Sequence, residues 1–166
     1  MDATALRAMQ APLKDRYKGD PKAAYITLKA KGTLDDTHIA CKVETGRALA
    51  VAGLHPATGG SGLELCSGDM LLEALVACAG VTLRAVATAL GINLRDAAVS
   101  AEGDLDFRGT LAVDKAAPVG FRTIRLRFDL DSDASPEQRA SLVKLTERYC
   151  VVYQTLAKPA EISIQY

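Results

Sequence analysis

Two stretches of the chain alternate apolar and polar side chains with a period of two. Across residues 97–107, Val99, Ala101, Leu105 and Phe107 share one face, and Ser100, Glu102, Asp104 and Asp106 share the other. Across 121–130, Ile124, Leu126, Phe128 and Leu130 oppose Arg125, Arg127 and Asp129. Alternation this regular predicts antiparallel strands with one wet face and one buried face. Three shorter strand-like runs come earlier: 25–31 (Ile26, Leu28, Ala30), 38–45 (Ile39, Cys41, Val43) and 47–52 (Leu49, Val51). Turns at Asp35-Asp36 and Thr45-Gly46 separate them. The end of the chain, 161–166, places Ile162 and Ile164 on one side and predicts a terminal strand.

Between the two strand groups the pattern changes. Residues 68–90 are nearly all apolar or small, with Ser67 as a candidate N-cap, Asp69 well placed against the helix dipole and Gly91 as a stop. This predicts a helix roughly 30 Å long. A helix apolar on every side must be covered on every side, which one small domain does poorly, so a second subunit is expected. Glu73, Arg84 and the many Ala and Gly residues argue for a core helix rather than a membrane span. Further on, Ser135-Pro136-Glu137-Gln138 has the form of a capping box and predicts a helix to about residue 148. Cys150 follows directly, and the next residues predict a second, short helix. Residues 1–20 form a loose helix interrupted at Pro12 and ended by Gly19-Asp20-Pro21, and 55–62 (HPATGGSG) read as a flexible loop. The resulting order, βββ-α-ββ-α(α)-β, does not alternate helices with single strands, so the fold class is α+β. The whole of 1–166 reads as one domain, with 1–20 as an N-terminal extension.

Composition narrows the function classes. Lys+Arg and Asp+Glu both total 20, a net charge of zero, where a nucleic-acid binder needs a positive surplus. Nothing points to a membrane partner. The start, MDATALRAMQ, lacks a basic segment followed by an apolar run, and the four cysteines therefore point to free thiols in a reducing, cytoplasmic setting. No CxxC occurs, and His38 and His55 stand alone, so a zinc site is a poor reading.

The cysteines then carry the candidate chemistry. Cys41 falls on the apolar face of a strand and reads as a core thiol. Cys66 lies beside the Gly-rich loop with no neighbour that suggests a task. Cys78 lies mid-helix among Ala77, Ala79 and Gly80, which leave room for a substrate to reach the sulfur; a small core residue would fit there equally well. Cys150, between helices and near Tyr149 and Tyr153, is either a packing residue at a bend or a thiol whose pKa is lowered by a helix N-terminus.

Taken together, SGDMLLEALVACAGVTL and the later RYCVVYQTL resemble the OsmC/Ohr family, the osmotically inducible and organic-hydroperoxide-resistance proteins. The family shows an acidic helix start, a cysteine in mid-helix and a second cysteine in a C-P-V-S-x-T-L-like segment. The Gly-rich lead-in and the element order over about residues 22–166 are similar too. The resemblance implies antiparallel sheets packed around a long buried central helix, in an intertwined homodimer. It implies a peroxidase without metal or flavin cofactor, acting on organic hydroperoxides or hydrogen peroxide and re-reduced by a dithiol or lipoyl-type reductant. Cys78 would be the peroxidatic thiol and Cys150 the resolving one. Asp69 stands nearest the family's helix-start carboxylate. Nine residues before Cys78, it is about 180° around and 13–14 Å along the helix, so it would serve the other subunit's thiol or orient a cation there. Lys31 and Arg47 are candidates for that cation by position. Val151, Val152 and Tyr153 replace the family's Pro-Val-Ser, which keeps an alternative in view: a non-catalytic dimer binding a small apolar or thiol ligand at the subunit interface.

Overall fold

The computed structural model describes residues 2–19, 31–34, 40–44 and 49–166. Its elements are α1 (Ala3–Gly19), β1 (Lys31–Leu34), β2 (Ala40–Glu44), β3 (Leu49–Gly53), β4 (Leu65–Cys66), α2 (Ser67–Leu90), β5 (Leu94–Asp104), α3 (Phe107–Thr110), β6 (Thr123–Ser132), α4 (Pro136–Tyr149) and α5 (Val151–Ala157). The mixture is α+β, as the grouping of strand-period segments apart from the helices predicts. The expected strand at 25–31 lies outside the described residues apart from Lys31.

Backbone proximity groups the chain into two compact units. The first takes the N-terminal helix, 74–100 and 126–166. Its core is Leu83, Ala87, Leu94 and Leu142, with Val86, Ile92, Ala97, Val99, Phe128 and Leu130 packed around it. The buried positions of α2 are Leu75, Ala79, Leu83 and Ala87. Their four-residue spacing puts them on one stripe of the helix. Each fully buried leucine contributes about 1.5–3 kcal/mol of transfer free energy. Gly91 ends α2 at φ 69°, and the Ile92 N–H donates to the Ala87 carbonyl at 2.9 Å. Only glycine adopts that left-handed geometry at no steric cost.

The second unit takes 27–73 and 101–125. β1 pairs antiparallel with β2 (Lys31 with Glu44, Leu34 with Cys41), and β2 antiparallel with β3 (Ala40 with Gly53, Glu44 with Leu49). β3 pairs in parallel with the two-residue β4. A separate two-stranded sheet joins β5 and β6. Its wet face is laced by Arg95 with Asp131 and Asp133, and by Arg125 with Glu102 and Asp104. Arg95 at the start of β5 reaches Asp131 at the end of β6, and Arg125 at the start of β6 reaches Glu102 near the end of β5, so the strands run antiparallel.

Several expectations are corrected. α1 continues through Pro12, with Asp2 accepting from the Ala5 N–H at 2.8 Å at its start. Residues 55–62 are not a featureless loop. Pro56–Thr58 form a 3-10 turn, and the His55 ring nitrogen accepts from the Ala57 N–H at 3.0 Å. The strand expected through 107 stops at Asp104, because Asp106 accepts from the Arg108 N–H and caps α3. Residues 161–166 form no strand, and Ile162 and Ile164 are 85% and 86% exposed. A strand needs an edge to satisfy its backbone groups, and none pairs with this segment among the described residues. Among the described residues, the fully buried positions of the long helix form one stripe. Val81 is 74% exposed, with Leu71 and Leu90 also at the surface. α2 is long and apolar enough to cross a membrane by length and composition. Its stripe, buried in the first unit's core, and its Glu73 and Arg84 make it a core helix.

Candidate active site

α4 and α5 meet at Cys150, which is both the C-cap of one and the N-cap of the other. Its extended backbone (φ −75°, ψ 108°) bends the chain there, while its N–H still donates to the Thr146 carbonyl at 2.9 Å. The position of α4 is set locally. Ser135 accepts from the Gln138 N–H at 3.2 Å, and the Gln138 side chain accepts from the Ser135 N–H at 2.8 Å. It is also set by burial of Leu142 and Thr146, both 0% exposed. Cys150 is itself buried, at 1%.

This bend brings the start of α5 up to Cys78, which is half-buried beside the Ala79 stripe of α2. Both sulfurs are free thiols, and each shifts the other's titration. The first N–H groups of a helix have no partner within it. Here the Val151 and Val152 N–H groups face the Cys78 sulfur, as does the hydroxyl of Thr82, one helical turn along α2. Burial alone would push the Cys78 thiol up. The Val152 amide, the Cys150 thiol, the Val151 amide and the Thr82 hydroxyl outweigh it and draw Cys78 below the ordinary thiol range. Cys150 moves the opposite way: burial raises it, and so do its contact with Cys78 and the charge there, against the weaker pull of the Tyr153 and Val152 amides.

Of the two readings of Cys150, a packing residue at a bend and a thiol lowered by a helix N-terminus, its burial and upward shift fit the first. The Val151 and Val152 amides draw Cys78 down, while at Cys150 burial and Cys78 outweigh the Tyr153 and Val152 amides and hold that thiol up. Two thiols of opposite tendency in contact are suited to nucleophilic attack by one and proton holding, then condensation, by the other.

The remaining candidates sit elsewhere. Asp69 is in the exposed first turn of α2. Arg47 and the side chains of Lys31 and Cys41 lie outside the described residues. Cys66 is half-buried and lines a cavity of about 370 Å³ with His55, Phe107 and Phe121, where the His55 and Phe107 rings stack at 4.9 Å. Sequence reasoning missed Thr82 and the two amides. Thr82 was findable, since a hydroxyl four residues from a cysteine shares its helix face. The amides depend on how the α4–α5 bend meets α2, which no local pattern encodes.

Comparison with solved structures shows the fold to be a known one. The fold matches an OsmC-like protein from Mycoplasma pneumoniae with a TM-score of 0.66 at 16% identity, covering 81% of this chain and 89% of the other. It matches an organic hydroperoxide resistance protein OsmC from Legionella pneumophila with a TM-score of 0.63 at 19% identity, covering 81% and 92%. The organic hydroperoxide resistance protein OhrB of Bacillus subtilis matches at 0.53 and 18%, covering 80% and 93%. No curated protein matches the sequence. The sequence profile of the family described as OsmC-like protein matches residues 59–165, a span that includes both thiols, and the chain belongs to that family.

Proposed function

We propose that this chain is a two-cysteine peroxidase that reduces organic hydroperoxides or hydrogen peroxide. The observation that carries the proposal is the pairing of a thiol drawn toward its thiolate, Cys78, with one held protonated, Cys150, at the α5 N-terminus. The Cys78 thiolate attacks the outer oxygen of the peroxide. The O–O bond breaks, Cys78 becomes a sulfenic acid and the alkoxide takes a proton to leave as an alcohol. With the thiolate gone, Cys150 loses the charge that kept its proton in place. Its sulfur then attacks the sulfenic sulfur, forming the disulfide and releasing water. An external dithiol reopens the bond. In this reading the chain works as a homodimer in the cytoplasm. A second copy covers the exposed side of α2, and Asp69 serves that copy's thiol or orients a cation beside it.

The test is consumption of cumene hydroperoxide in the presence of dithiothreitol. Wild-type protein turns over, and Cys78→Ser is inactive. Undiminished turnover by Cys78→Ser removes the mechanism. One observation favours a second reading, a non-catalytic dimer binding a small apolar or thiol ligand: among the described residues, the groups that lower Cys78 are uncharged donors. That reading predicts no peroxide consumption by either protein.

A further inference from the structure

The arginines of the β5–β6 region are held by carboxylates: Arg95 by Asp131 and Asp133, Arg108 by Asp106 and Asp114, Arg125 by Glu102 and Asp104. Arg148 and Lys158 are not. Both line an open cavity of about 510 Å³ whose wall includes Cys150, Gln154 and Thr155 and contains no acidic residue. Among the described residues neither cation has a carboxylate partner. The Arg148 guanidinium lies 5.6 Å from the centre of the Tyr149 ring instead. A cleft lined by charge of one sign raises the local concentration of the opposite sign. Cys150 is the cysteine among the residues of this wall, and its sulfur lies beneath the surface next to Cys78. With Cys150 only 1% exposed, approach from this side needs a slender, short-chain group.

We propose that this cavity receives an anionic thiol reductant, which attacks the Cys150 sulfur of a Cys78–Cys150 disulfide. The inference rests on the peroxidase reading for how that disulfide arises. The reductant's thiolate forms a new S–S bond to Cys150. The Cys78–Cys150 bond breaks, and its electron pair leaves on Cys78 as a thiolate. A second reductant thiolate attacks the reductant sulfur of the mixed disulfide, and Cys150 departs and takes up a proton. Overall two thiols are oxidised to one disulfide and the protein disulfide is reduced by two electrons. The direction of attack follows from the surroundings of the two sulfurs. Thiol–disulfide exchange is faster when the better-stabilised thiolate leaves. The Val151 and Val152 amides and the Thr82 hydroxyl are grouped around Cys78 to receive it.

The disulfide can be made with diamide, so the test does not depend on peroxide turnover. Its reduction is timed with mercaptoethanesulfonate (anionic), mercaptoethanol (neutral) and cysteamine (cationic) at equal thiolate concentration. The anionic thiol is expected to react about tenfold or more faster than the neutral one, with the cation slowest. The anionic-to-neutral ratio falls toward one in Arg148→Gln/Lys158→Gln and stays high in Lys115→Gln, a lysine outside this cavity. Peptide mapping of the quenched reaction places the adduct on Cys150. Equal rates for the three thiols, a ratio indifferent to the double substitution, or an adduct on Cys78 overturns the proposal. Failure of diamide to link the two cysteines overturns it together with the peroxidase reading. A charge preference in a protein that consumes no peroxide leaves the cavity assignment standing and sinks the peroxidase reading alone.

Discussion

Val151→Pro separates the chemistry of Cys78 from the stability of the fold. Residue 151 is the first residue of α5, the helical position where proline is most favoured, since its missing N–H has no acceptor in the helix. The preceding residue must then be extended, and Cys150 already is, at φ −75° and ψ 108°. The substitution is therefore expected to leave the folded structure intact. It also restricts the unfolded chain, worth about 0.4–1 kcal/mol in favour of folding. Yet it deletes one of the donors facing the Cys78 sulfur. A hydrogen bond to a charged group contributes about 1.5–3 kcal/mol. Cys78 is half-buried, so water replaces part of that, and the lower end applies. At 1.36 kcal/mol per factor of ten, the thiolate fraction near neutral pH drops about tenfold. The assay is the rate of iodoacetamide modification at Cys78 across pH, read by peptide mass, with a thermal melt of the same samples. The expected outcome is an unchanged or higher melting temperature with slower modification of Cys78, the rate profile displaced to higher pH. Unchanged Cys78 reactivity in a folded Val151→Pro protein refutes the role given to the α5 amides, and a lowered melting temperature refutes the account of the cap.

Three further outcomes follow from the packing and the caps. Ser135→Ala removes the hydroxyl that accepts from the Gln138 N–H and costs about 1 kcal/mol in urea unfolding, whereas Ser135→Asp costs much less. Leu142→Ala, at a site with no exposure in the core of the first unit, destabilises by about 2–5 kcal/mol, measured the same way. Asp106 is held at a pKa of about 2 by the Arg108 guanidinium beside it, below its unfolded value. A carboxylate with a depressed folded pKa stabilises above its unfolded pKa and loses that contribution as pH falls through the folded one. Protection of the α3 amides from hydrogen exchange is therefore expected to weaken between about pH 4 and pH 2, and in Asp106→Ala this pH dependence is absent.

What was legible in the sequence was what short-range chemistry determines. The β5 and β6 alternation, the Ser135 capping box, the extent of α2 and its stop at Gly91 rest on neighbours within a few positions, and each holds. Where the outcome depends on distant chain, local pattern misleads. The 161–166 segment has the side chains of a strand, yet strand formation needs a free edge beside it. β4 is two residues long and exists through its parallel pairing with β3. The all-apolar character of α2 marks it as needing cover on every side, while among the described residues its fully buried positions are the Leu75-Ala79-Leu83-Ala87 stripe. Pro12 does not interrupt α1 as expected. At the site, the two cysteines were legible as a pair through their resemblance to a known family. The direction in which each thiol is shifted was not. It depends on the first amides of α5 reaching a sulfur on another helix as well as the one on its own cap, and on the deeper burial of the latter.

The two-cysteine mechanism requires peroxide to link these two sulfurs. The most direct measurement treats reduced protein with one equivalent of cumene hydroperoxide and maps the products by peptide mass. A Cys78–Cys150 disulfide formed with loss of one peroxide is the predicted result, with a dimedone-reactive sulfenic acid at Cys78 when Cys150 is Ser. Peroxide left unconsumed, or a disulfide that joins Cys78 to Cys66 or to a second copy while Cys150 remains a free thiol, contradicts it.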